Sequence, residues 1–267
     1  MLLLFHKIDV LVMPAEHPPP FFLGSALRGA FGYALKHTAC VCPAQQCTEC
    51  NMRQQCAYYL FYESKNTSHP YRFSKALGEE QYDFSFYLFE KACDYLPVVA
   101  KALRYMLEVQ GLHAHRETFV LKSLTCNGVM VEEVTTPQFF MPDVIDSQAK
   151  VCFQTPLRMK HKGRLLTKRP TLEILLDSVY HRLSELKNFP MTKSSTKPSY
   201  SEGRSRIEFQ DLSRFSNRQE TSMQLGGIVG FVEYEQMDER SFMLLKLGEI
   251  IGLGKQTVFG LGEIKVL

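Results

Sequence analysis

Apolar residues recur along the chain with two periods, and the alternation between them sets out the elements. Leu2 to Val12 reads as a strand, followed by a proline-rich turn from Pro14 to Pro20. Gly24 to His37 has helical spacing: Leu27, Ala30, Phe31, Ala34 and Leu35 gather on one side, and Arg28, Gly32, Tyr33, Lys36 and His37 on the other. Pro70 to Phe73 and Tyr82 to Phe89 then read as strands, Asp94 to Glu108 as an amphipathic helix and Glu117 to Thr125 as a strand. The second half repeats the order: strand Val151 to Thr155, helix Leu172 to Lys187, strands at Ile207 to Gln210 and Leu225 to Tyr234, helix Ser241 to Ile251, strand Val258 to Val266. Two βαββαβ runs without a visible sequence repeat predict an α+β protein of tandem ferredoxin-like (RRM-like) domains, residues 1–140 and 141–267, connected through Thr136 to Asp146. Asn188 to Ser205, rich in Lys, Ser, Pro and Thr, predicts a surface loop.

Composition adds limits. At 45% apolar, 267 residues can bury a core, and MLLLF is interrupted by His6, Lys7 and Asp9, so it suits a buried strand better than a signal peptide or membrane span. A soluble, cytoplasmic protein with no membrane partner is expected. Net charge of +3 does not by itself indicate nucleic acid, but the charge is unevenly placed. Arg158, Lys160, Lys162, Arg164, Lys168 and Arg169 lie with His161 between Pro156 and Pro170, with no acidic residue among them. Lys193, Lys197, Arg204 and Arg206 extend the basic character.

Five of the eight cysteines, Cys40, Cys42, Cys47, Cys50 and Cys56, fall within seventeen residues. In a cytoplasmic chain this pattern speaks for metal and against disulfides. Cys47-x-x-Cys50 flanked by Cys40 and Cys56 supplies a four-thiolate set for structural zinc; an iron–sulfur cluster uses the same ligands, and Cys42 could stand in place of Cys40. The expectation is a cysteine-rich metal-binding insertion at 40–56, closed to catalysis. No adjoining basic recognition helix supports a DNA-binding zinc-ribbon regulator.

Near the C-terminus, Gly252-Leu253-Gly254-Lys255 is not the phosphate loop of nucleotide hydrolases: Glu249 occupies the first glycine position and Gln256 follows the lysine. Its general chemistry remains open, with Gly252 and Gly254 exposing N–H groups and Lys255 adding charge for a phosphate, against the plainer reading of a tight helix-to-strand connection.

The stretches LRGAFGYALKH, TPLRMKHKGRLL, RFSNRQETSMQLGGIVG and GLGKQTVFGLGEIKV, with the cysteine cluster between the first two, together resemble the CRISPR-associated endoribonuclease that processes precursor CRISPR RNA, of the repeat-associated (RAMP) superfamily. The resemblance implies CRISPR repeat RNA as partner, a basic cleft, and metal-independent cleavage by 2′-hydroxyl attack that leaves a 2′,3′-cyclic phosphate. It also admits a non-cleaving RNA-binding subunit of a larger effector complex. It assigns acid–base chemistry to His37, with Tyr33 and Lys36 beside it, since imidazole titrates near neutrality. It assigns RNA contacts to Arg28, Arg158, Lys160, Lys162, Arg164, Lys168, Arg214 and Arg218, and to Gly252, Gly254 and Lys255, with Tyr200 or Phe215 offering rings for base stacking. Gly111-Leu112-His113-Ala114-His115-Arg116 departs from the family's glycine-rich turn, and makes His113 and His115 rivals to His37.

Overall fold

The computed structural model describes residues 3–42, 46–64, 68–132, 135–142, 145–189, 197–216 and 221–267. It is a mixed α+β protein with antiparallel sheets, in two compact units, Met1–Phe140 and Met141–Leu267.

In the first unit β1 (Leu4–Val12), α1 (Gly24–Ala39), β2 (Tyr71–Ser74), β3 (Phe84–Phe89), α2 (Leu96–Arg104), β4 (Leu121–Cys126), β5 (Val129–Met130) and β6 (Gln138–Phe139) follow one another. The sheet order is β2-β3-β1-β4-β5, with β6 paired to β1. β1 is central because its alternate residues Ile8, Val10 and Val12 are buried on one face. Helix α1 covers that sheet through Leu27, Phe31, Ala34 and Leu35, all fully buried. Phe31 is ringed by Phe61, Tyr71, Phe73 and Phe86, with ring centroids 4.9–6.5 Å away.

Three expectations change here. The second helix is regular only over Leu96–Arg104; a 3₁₀ stretch, Glu90–Tyr95, leads into it and a π-helical turn, Tyr105–Gln110, leads out. The strand expected from Glu117 starts only at Leu121, as β4, because Leu112 and Glu117 bond to one another and close the intervening loop. On α1, Gly32 and Arg28 face inwards although the helical wheel puts them on the polar side. With no side chain at Gly32, the Tyr62 ring approaches so closely that a Cβ there would lie 2.8 Å from it, and the Tyr62 hydroxyl donates to the Arg28 carbonyl at 2.7 Å.

The second unit comprises β7 (Ala149–Leu157), β8 (Lys160–His161), β9 (Arg164–Leu165), α3 (Leu172–Lys187), β10 (Ser201–Gln210), β11 (Ser213–Ser216), β12 (Thr221–Gln224), β13 (Gly227–Glu235), α4 (Glu239–Ile251) and β14 (Ile264–Val266). The main sheet runs β10-β13-β7-β14, while β8–β9 and β11–β12 are separate two-stranded hairpins. Residues 201–205, expected in a loop, belong to β10, because their backbone pairs with β13. The final strand is three residues long and not nine: positive φ at Gln256, Gly260 and Gly262 coils the chain before Ile264 can pair with Phe153.

Helix α4 begins on Asp238, whose carboxylate accepts from the Ser241 N–H (2.9 Å), the Ser241 hydroxyl (2.8 Å) and the Ser199 N–H (3.1 Å). Partial burial pushes the Asp238 pKa up, but these hydrogen bonds outweigh it and leave the pKa below the ordinary aspartate value. The stabilisation is therefore fully present above the unfolded aspartate's pKa and is lost as pH falls through the lower folded value. Asp238→Ala is expected to cost about 1 kcal/mol at pH 7. In denaturant titrations the gap to wild type should narrow below about pH 4, where the unfolded aspartate protonates; a gap constant down to pH 2 contradicts this account.

Candidate nucleic-acid interface

The C-terminal half of α1 places Tyr33 and His37 one turn apart on an exposed strip; Tyr33 is 76% exposed. His37 stacks face to face on Tyr105, with centroids 4.2 Å apart and planes 14° from parallel. Stacking occupies one ring face and leaves the two nitrogens at the edge, where they can exchange protons with a ligand. Tyr105 is available because the π-helical turn begins there, and α1 packs against that turn. Lys36 lies over the Tyr58 ring at 5.5 Å, which turns its ammonium towards the segment after the cysteines. Arg28, expected among the RNA contacts, is instead half-buried, with its guanidinium 5.1 Å over the Tyr62 ring.

A second set of titratable groups lies in the loop after Gly111. His113 Nε2 is 3.2 Å from the Tyr82 hydroxyl, the His113 and His115 rings stack at 5.5 Å, and His115 Nε2 is 3.2 Å from the Glu117 carboxylate. Burial, then the neighbouring His115, lower the His113 pKa, and Glu117 only partly opposes them. His113 also sits at a φ of 63°, so the loop's shape is not one its side chain favours.

In the second unit the basic segment is a hairpin. Lys160 pairs with Leu165 and His161 with Arg164 around a Lys162-Gly163 turn, whose φ values of 49° and 79° both lie in the left-handed region that a two-residue type I′ connection needs. Lys160, His161, Lys162 and Arg164 are exposed on it, as is Lys168 just after, and buried Met159 anchors its base. Arg158 at the root has a structural bond instead, donating to the Gly226 carbonyl at 2.8 Å. Arg169 likewise donates to the Gly203 and Glu233 carbonyls.

The glycine-rich loop differs from the open phosphate cradle considered from sequence. The Gly252 N–H donates to Gly248, Leu253 to Gly262, Gly254 to the Ser178 hydroxyl and Lys255 to Arg158, at 2.8–2.9 Å. Its donors are thus engaged internally, and the loop stitches the end of α4 to the end of β7. Gly252 and Gly254 act by letting the backbone pack, and only the exposed Lys255 side chain is offered outward. Because the Lys255 N–H bonds to Arg158, that ammonium leaves the surface beside the root of the basic hairpin. Nothing in the sequence pattern signalled this juxtaposition, which depends on bonds between residues almost a hundred positions apart.

Other expected contacts fare unevenly. Arg218 and Lys193 lie outside the described residues, as do the side chains of Arg214 and Phe215. Tyr200 donates to Glu173 at 2.8 Å and packs edge-on against Tyr234, so its ring serves the unit's own packing. Arg204 is paired with Glu233 and Arg206 with Glu208, which cancels most of the charge they were expected to add.

All five clustered cysteines line one pocket after α1. Cys40 closes the helix, its N–H donating to the Lys36 carbonyl at 3.0 Å. As they stand, among the described residues, no three of His, Cys, Asp or Glu are grouped to hold a metal ion, so the expected four-thiolate site is not preformed. Among those residues, too, no helix is long and apolar enough to cross a membrane.

Two antiparallel α+β units, one carrying an exposed histidine and the other a basic hairpin, define the class of fold, and comparison with known proteins assigns the family. Residues 151–264 match the model of the CRISPR-associated endoribonuclease Cas6, and residues 7–140 that of the AF_1859_N N-terminal domain. The chain belongs to the CRISPR-associated RAMP proteins of the Cas6 type. It is 26% identical to an uncharacterized protein of Archaeoglobus fulgidus, over 96% of this chain and 95% of that one. A product complex of Thermus thermophilus Cas6 shares the fold at a TM-score of 0.60, with 13% identity and coverage of 100% and 99% of the two chains. A second Cas6 product complex does so at 0.58, with 18% identity and full coverage of both.

Proposed function

We propose that this protein cleaves CRISPR repeat RNA within the precursor transcript, without a metal ion, and that its two units are tandem ferredoxin-like domains. The sheet orders β2-β3-β1-β4 and β10-β13-β7-β14, each built by a β-α-β-β-α-β run, support the second statement. The observation that carries the first is His37: an imidazole on an exposed helix face, fixed by stacking on Tyr105, in a chain of a ribonuclease family.

The reaction needs no group the chain lacks. The RNA 2′-oxygen attacks the adjacent phosphorus while a base takes its proton; the O2′–P bond forms, the P–O5′ bond breaks, and an acid gives a proton to the departing O5′. The products are a 2′,3′-cyclic phosphate and a 5′-hydroxyl. His37 takes the acid–base role, with the exposed Tyr33 hydroxyl in reach of the same ligand. Lys160, Lys162, Arg164, Lys168 and Lys255 supply the positive surface for the phosphate backbone.

The test is brief incubation of the full chain with its own end-labelled repeat RNA in excess EDTA, with product ends resolved. Cleavage to a cyclic phosphate end is expected. Tight binding with no cleavage would replace this reading with that of a non-cleaving RNA-binding subunit.

The hairpin makes its own prediction. Replacing Lys160, Lys162 and Lys168 together by Ala should weaken repeat binding and lessen its salt dependence. If these lysines neutralise single-stranded phosphates, the slope of log K against log salt should fall by about 0.7 for each phosphate left without its lysine. Unchanged affinity and slope would remove the hairpin from the interface.

A further inference from the structure

The cysteine pocket is not used by the chemistry above. Cys40, Cys42, Cys47, Cys50 and Cys56 line it together with Arg53, in a volume of about 170 Å³, and no carboxylate lines it. An all-sulfur donor set is soft and suits zinc or an iron–sulfur centre over magnesium or calcium. We propose that Cys40, Cys47, Cys50 and Cys56 bind one structural zinc ion as thiolates, with Cys42 as the fifth sulfur of the pocket outside the ligand set.

Three features support this. Cys47 and Cys50 share one tight turn, in which the Glu49 N–H donates to the Gln46 carbonyl at 3.0 Å, so both sulfurs can reach one ion. Cys40 is fixed by the end of α1, and Cys56 by its N–H bond to Arg53 at 3.3 Å, so the four donors enter from two anchored ends and one turn. Cys42 lines the same pocket two residues after Cys40, which places it as a neighbour of the ligands. The sulfurs are not grouped as a tetrahedral site with bonds of about 2.3 Å requires, so loading must draw them together. On binding one Zn²⁺ the four thiols lose four protons to solvent, and the resulting tetrathiolate site carries two negative charges. Arg53 lines the pocket and can offset part of that charge.

The site would also brace the last turn of α1. Cys40 follows His37 by three residues, and Tyr59, next to the Tyr58 that carries Lys36, lines the same pocket. Zinc therefore holds the helix end that presents the exposed imidazole, without entering the reaction.

Metal content decides the matter independently of cleavage. The full chain, purified without added metal and desalted, is analysed for zinc and iron beside Cys47→Ser/Cys50→Ser and the control Cys152→Ser. About one zinc per chain in wild type and control, with at least a tenfold loss in the double variant, is expected. Should the double variant not fold, wild-type protein stripped of metal is titrated with Co²⁺. A thiolate-to-cobalt charge-transfer band saturating at one equivalent supports the site. Wild type with no retained metal and no such band overturns the proposal; so does iron with acid-labile sulfide in place of zinc, or a Cys42–Cys50 disulfide seen as a mass two units lower. Absence of RNA cleavage with zinc present would affect the proposed activity alone.

Discussion

His37→Ala is expected to slow single-turnover cleavage of the repeat by about 10² to 10⁴, the range ordinarily lost with a general acid–base group, while repeat RNA affinity stays within about twofold. The split follows from the geometry. His37 is held by α1 and by its face-to-face contact with Tyr105, so removing it leaves the helix and the basic hairpin in place. Tyr105→Ala should give a smaller loss of rate, because the imidazole remains but its orientation loosens. The alternative lies in the Gly111 loop, where Tyr82, His113, His115 and Glu117 form a continuous series of touching groups. If His37→Ala cleaves at the wild-type rate and His113→Ala or His115→Ala does not, proton transfer belongs to that series. Burial lowers the His113 pKa, so a reaction using it as a base should continue to more acidic pH than an ordinary histidine permits.

Gly262→Ala is expected to destabilise the protein by well over 2 kcal/mol, by adding a steric clash to the cost of a left-handed residue. Gly262 has a φ of 72°, and a Cβ there would lie 1.8 Å from the Leu253 carbonyl oxygen. That carbonyl cannot yield cheaply, because the Leu253 N–H donates to the Gly262 carbonyl and the Gly262 N–H to Pro156. Gly163→Ala isolates the conformational part: its φ is 79°, but nothing lies within 4 Å of the added carbon, so only about 1 kcal/mol should be lost. Denaturant midpoints of the two variants give the comparison. Equal losses would mean that the loop relaxes freely, and that its interlocked bonds to β7 contribute little.

The elements with strong periodicity were legible from sequence. Leu172–Lys187 is helical over the whole expected span, and the apolar stripe Leu27, Phe31, Ala34 and Leu35 of α1 is fully buried. Their burial depends on spacing along one element, which the sequence itself contains. Tyr33 and His37 were legible as neighbours for the same reason, being one turn apart. So was the clustering of the cysteines, since closeness in sequence enforces closeness in space.

What the sequence could not determine was anything that depends on a partner far along the chain. Arg28 and Gly32 look polar on a helical wheel, and only Tyr62, thirty residues later, covers them. The glycines near the C-terminus look open to a phosphate, and only their bonds to Ser178, Arg158 and Pro156 show that the N–H groups are engaged. Arg204 and Arg206 count as free charge until the fold sets Glu233 and Glu208 against them. The sequence by itself determined the periodic helices and strands, the exposed Tyr33–His37 strip and the basic run, because these follow from local geometry. Tertiary structure alone decided which polar groups remain available to a ligand, because a hydrogen bond or ion pair is satisfied by whichever group the fold brings within about 3 Å.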